Sequence, residues 1–67
     1  MLHLKVTAPA ARLRTLRAAL GMTQPELAAA IGSSAITVWR AEAGRGNLET
    51  AETLVAKTEI LARERGL

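Results

Sequence analysis

The side chains of this sequence that can do chemistry are cations, hydroxyls and amides, and the chemistry open to them is the recognition of anions. Catalysis lacks its usual materials. There is no cysteine, the single histidine is His3, no glycine-rich phosphate loop occurs, and no two carboxylates are placed for inward acid–base work. A metal site normally takes about four ligands, which one imidazole cannot supply. Neither a metal nor another cofactor is expected, and the chain is read as non-enzymatic. Nine Lys and Arg against six Asp and Glu leave a net charge of +3 and a pI near 10.7, which favours an anionic partner. The excess is uneven: residues 1–45 carry six cationic and two acidic side chains, residues 46–67 three and four. The functional cations are therefore sought in Arg12, Arg14, Arg17, Arg40 and Arg45.

These groups need elements to hold them. Residues 2–7 alternate Leu2, Leu4 and Val6 with His3, Lys5 and Thr7, the period-2 pattern of a strand. No other segment has that period, so a strand here would pair with its copy in a second protomer; the alternative is an N-terminal arm laid on the helices. Pro9 opens a first helix capped by Thr7 or Ala8, with Leu13, Leu16 and Leu20 as its apolar stripe and Gly21 as its stop. Thr23-Gln24-Pro25-Glu26 is a capping box for a short second helix, which turns Leu27, Ala28 and Ile31 to the core and breaks at Gly32.

Ser33 or Ser34 caps the next helix. At about 100° per residue, Val38, Ala41 and Glu42 fall on one face and Ala35, Ile36, Trp39, Arg40 and Ala43 on the other. Two large apolar side chains on an outer face are unusual and mark an interaction surface. Gly44-Arg45-Gly46 forms a turn, and Asn47 caps a final helix over 47–65 with Leu48, Ala51, Leu54, Val55, Thr58, Leu61 and Ala62 at helical steps. A chain this short removes only about 60% of its unfolded surface from water, so a thin core supplemented by dimerisation is expected. The far end of the last helix, with Ile60 and Leu61, is expected to join Leu2, Leu4 and Val6 in the dimer interface. No apolar run approaches the roughly 20 residues of a membrane span, so no membrane partner is expected and a cytoplasmic location is. The whole chain, 1–67, reads as one domain.

Two short helices joined through Gly32 over residues 23–43 match the helix-turn-helix plan, in which the second helix enters the major groove of DNA. The residues go further. Leu13-x-x-Leu16-Arg17-x-x-Leu20-Gly21-Met22-Thr23-Gln24-x-Glu26-Leu27-Ala28-x-x-Ile31-Gly32-x-Ser34-x-x-Thr37-Val38-x-Arg40-x-Glu42-x-Gly44 resembles the Cro and phage-repressor family, the XRE-like helix-turn-helix proteins. The likeness extends over residues 12–62. It implies an all-α, four- or five-helix, lambda-repressor-like domain that binds double-stranded DNA as a homodimer.

The resemblance also assigns roles. Arg17 and Glu42 match a buried ion pair tying the first helix to the recognition helix, and Gln24 matches a phosphate-contacting glutamine. Ser34, Ala35, Ile36, Thr37 and Arg40 align with positions from which the family touches DNA, and the helical projection, not the resemblance, puts Trp39 outward, against the groove wall or a neighbouring protein surface. Thr23, Ser33, Ser34, Thr37, Arg45 and Asn47 join Gln24 near the phosphates. Ala35 and Ile36 depart from the polar residues common in the family and can offer only contact with a thymine methyl, leaving Arg40 to read guanine through O6 and N7 or to hold a phosphate. The implied function is a repressor or Cro-like regulator on a palindromic operator in a bacterial cell or phage-infected host. The alternative is an antitoxin or antirepressor that uses Ile36 and Trp39 to hold a protein partner.

Overall fold

A computed structural model describes residues 8–67, which form four helices: α1 (Pro9–Leu20), α2 (Gln24–Ala30), α3 (Ala35–Glu42) and α4 (Leu48–Glu64). The strand or arm expected at 2–7, with Leu2, Leu4 and Val6, lies outside the described residues. The architecture is all-α, with four helices and, among the described residues, no strand.

Each helix start follows from local chemistry. Ala8, in extended backbone, precedes α1 without a side-chain cap bond, and Pro9 stands in the first turn, where its missing N–H costs nothing. The capping box of α2 is complete: Glu26 N donates to Thr23 Oγ1 at 3.2 Å and Thr23 N donates to Glu26 Oε1 at 2.9 Å. Ser34, not Ser33, caps α3 by accepting from Thr37 N at 3.3 Å. Asn47 Oδ1 accepts from Glu49 N and Thr50 N at 2.7 and 3.2 Å, satisfying two of the open donors of α4.

The helix ends follow one rule. After α2, Gly32 takes φ +71°, Gly32 N donates to Ala29 O at 3.4 Å and Ser33 N donates to Ala28 O at 2.8 Å, closing a Schellman motif. A side chain at Gly32 would force its backbone into the left-handed region, which is why a glycine stands at the turn between α2 and α3. The same pair of bonds closes α1, α3 and α4, from Gly21 and Met22, Gly44 and Arg45, and Gly66 and Leu67.

Leu13 from α1, Leu27 from α2 and Val38 from α3 are wholly buried, and Ala28, Ile31, Ala41, Ala51 and Leu54 complete the core around them. Fully burying a Leu or Val contributes about 1.5–3 kcal/mol, so these three carry much of the packing energy of a thin core. α1 packs on α4 and α3, and α3 also packs on α2, so α3 is held from several sides. Thr58 is buried in the stripe of α4, its hydroxyl donating to Leu54 O at 2.7 Å.

One residue differs from its sequence-based placement. Leu48, read as part of the α4 core stripe, is 62% exposed because it occupies the first turn, beyond the core. Leu61, read both in the α4 stripe and, with Ile60, in a dimer surface, packs partly buried against its own protomer's core as the stripe requires, while Ile60 is exposed.

Candidate nucleic-acid interface

α3 presents two faces with different duties. Val38, Ala41 and Glu42 are buried, whereas Ala35, Ile36, Trp39, Arg40 and Ala43 are exposed. Ile36 at 56% and Trp39 at 46% exposure place a substantial apolar surface beside the Arg40 guanidinium. Such a face offers one charged fork flanked by methyl and ring surfaces.

The inner end of α3 is fixed by a charged cluster around Glu42, only 5% exposed. Arg17 approaches the carboxylate side-on, Nε donating to Oε2 at 2.5 Å and Nη2 to Oε1 at 2.9 Å. This two-bond fork is the strong form of an arginine–carboxylate pair. Arg17 Nη1 also donates to Met22 O at 2.9 Å, so one guanidinium fastens α3, α1 and the turn between α1 and α2. Gln24 Nε2 donates to Glu42 Oε1 at 3.1 Å, and Arg14 Nη1 donates to the Glu42 backbone carbonyl. Burial alone would raise the Glu42 carboxyl, but the side-chain hydrogen bonds from Arg17 and Gln24, with the positive charges of Arg17 and Arg14, hold it below the usual carboxylate range. The hydrogen bond to Glu42 correspondingly raises Arg17. The pair is ionised at neutral pH.

The remaining polar candidates surround α3. Thr37 Oγ1 lies 2.8 Å from Ser34 Oγ at the start of the helix. Arg40, Arg45, Asn47, Thr37 and Thr50 line a recess of about 220 Å³ between α3 and the start of α4. Two guanidiniums, two hydroxyls, an amide and the N-terminal end of a 17-residue helix there suit an anion on charge grounds. Ser33 lines a neighbouring concavity with Thr37, Thr53 and Lys57. Thr23 and Gln24 stand at the start of α2, with Thr23 Oγ1 engaged as the cap.

Arg45 has a further contact: its guanidinium carbon lies 5.9 Å from the centroid of the Trp39 ring. The sequence reading named both residues separately and missed their contact. Arg14 was named only as one of the basic residues, its bond to Glu42 unforeseen although it stands three residues before Arg17 on the same side of α1, and Thr50 was not named as a site residue. Among the described residues, no group of acidic, histidine or cysteine side chains is arranged to hold a metal, and no helix is long and apolar enough to cross a membrane.

A family model described as a helix-turn-helix domain matches residues 10–67. No curated protein and no solved structure matches the chain.

Proposed function

Because the chain belongs to the helix-turn-helix domain family, of the Cro and XRE-like type, we propose that it is a sequence-specific transcriptional regulator, a homodimeric repressor or Cro-like protein that occupies a palindromic operator. The observation that carries this reading is the outer face of α3: Arg40 exposed between apolar neighbours, on a helix whose inner end is clamped through Glu42. A reading helix gains from being fixed before it meets its groove, because ordering cost is then not charged against binding.

In this mechanism α3 enters the major groove. Arg40 donates to guanine O6 and N7, and Ala35 and Ile36 meet thymine methyl groups. Trp39 lies at the groove wall. Thr23, Ser33, Ser34, Thr37, Arg45 and Asn47 set register by holding phosphates, which carry no sequence information themselves. Gln24 keeps this role too, since an amide NH2 has two donors and only one bond, to Glu42, is drawn from it. Asn47 caps through Oδ1, which leaves its NH2 group pointed to the same use.

A second copy, joined through Ile60, the exposed part of Leu61 and the apolar Leu2, Leu4 and Val6, would set two α3 helices about 34 Å apart, one turn of DNA. Repression then follows from occupancy alone, in the cytoplasm. The exposure of Ile36 and Trp39 also favours a second reading, in which this face holds a protein partner as an antitoxin or antirepressor would.

The test is selection of bound sequences from random DNA at several salt concentrations, for the wild type and Arg40→Ala. The expected outcome is an enriched palindrome in the wild type, with Arg40→Ala losing discrimination of about 1–3 kcal/mol at one base pair of each half-site. A uniform loss with a shallower salt slope would move Arg40 to the phosphates. Absence of any enriched sequence would overturn the regulator reading in favour of the protein-binding one.

A further inference from the structure

From the cation–π contact between Arg45 and Trp39 we infer that Trp39 serves DNA binding as a positioning residue, biasing the Arg45 guanidinium toward a phosphate, rather than as a reader of bases. The inference rests on the DNA-binding reading above. Its ground is geometric. Arg45 leaves the turn between α3 and α4 with its backbone already fixed, Arg45 N donating to Arg40 O at 2.8 Å between left-handed glycines at 44 and 46. Its side chain brings the guanidinium carbon to 5.9 Å from the Trp39 ring centre.

That distance is within reach of the negative face of the indole, which attracts a cation and is the most effective of the aromatic faces at doing so. Arginine is a side chain of many rotamers, and an exposed one samples them freely. The ring biases those rotamers toward itself before any ligand arrives, about two- to fivefold for an exposed pair, equivalent to about 0.5–1 kcal/mol. A guanidinium drawn to a ring through its charge keeps its N–H donors unspent, and those are the donors a phosphate needs. Arg45 also borders the recess it shares with Arg40, Asn47 and Thr50, so the held cation stands among groups suited to the same anion.

Trp39 is the only tryptophan in the chain, so its fluorescence reports this contact directly. In the free protein, Arg45→Ala is expected to shift indole emission while far-UV circular dichroism stays unchanged. In DNA binding, Arg45→Ala is expected to reduce the steepness of log K against log salt by about 0.9, the value for one phosphate contact. Trp39→Ala should reproduce most of that reduction with little change in the selected sequence. The double variant should bind within about twofold of Arg45→Ala, because the second change removes a support with nothing left to hold. Trp39→Phe, which retains a ring face, should recover part of the slope. Additive losses in the double variant, a changed base preference in Trp39→Ala, or emission indifferent to Arg45→Ala would overturn the inference while leaving the DNA-binding reading intact. A wild type without DNA affinity would bring down both.

Discussion

Replacing Glu42 by glutamine tests the cluster on which the position of α3 depends. The substitution keeps the shape of the side chain and removes its charge. Three donated bonds converge on the carboxylate, two from Arg17 and one from Gln24, and an amide has one oxygen where the carboxylate has two. Its NH2 group would face guanidinium and amide donors, leaving Arg17 with a poor partner. Breaking a buried pair by removing one member typically costs about 3–5 kcal/mol. The Arg17 side chain is 23% exposed, so water can reach it, and the lower end, about 3 kcal/mol, is expected. At about 4–8 °C per kcal/mol for a domain this small, Tm should fall by roughly 12–24 °C.

Urea denaturation followed by circular dichroism measures this loss, and its pH dependence supplies a second reading. The ionised Glu42 stabilises the fold fully above the ordinary carboxyl value of 4.5, and that contribution is lost as pH falls through the lower value it has in the folded state. Wild type should therefore lose stability below that point by a component that Glu42→Gln lacks. Removing both charges, with Arg17→Met and Glu42→Leu together, should give a protein more stable than either single variant. A Glu42→Gln protein within about 1 kcal/mol of wild type would refute the reasoning, since a partly buried guanidinium deprived of its carboxylate is expected to cost about 3 kcal/mol.

Two other substitutions separate causes that a contact map alone would confuse. Gly32→Ala meets no atom within 4 Å of its new Cβ, so the cost should arise only from the left-handed backbone, about 1–2 kcal/mol by thermal or urea denaturation. Arg12→Ala breaks a 3.0 Å ion pair with Glu59, but the side chains are 48% and 36% exposed, so the change in unfolding free energy should stay below about 1 kcal/mol and shrink with added salt.

What the sequence disclosed was local. Thr23 and Glu26 stand three apart and bond to each other, Gly21 and Gly32 end their helices, and Asn47 caps α4, because each interaction is settled within one turn of chain. The inner and outer faces of α3 were legible for the same reason: eight residues of regular helix fix which side each one takes. The Arg17–Glu42 pair spans 25 residues and was reached through family resemblance, not through period. Contacts lacking such a guide were missed. The Gln24 bond to Glu42 and the Arg14 bond to its carbonyl cross 18 and 28 residues, and depend on how helices meet in space. Leu61 illustrates the limit from the other side, since helical step alone cannot tell whether a flank of a stripe touches its own core or a neighbour's.

The division of α3 into a clamped face and an open one has an evolutionary consequence. Ile36, Trp39 and Arg40 contribute no atoms to the buried core, and the residues that hold the helix, Val38, Ala41 and Glu42, never reach its outer side. On the proposed DNA-binding reading, target preference, carried by Ile36 and Arg40, and folding are thus written in different positions of the same eight-residue word. On that reading, mutations rewrite one without spending the other, so a lineage could explore new DNA targets at nearly constant stability, and an engineer could randomise the outer face with the scaffold left alone.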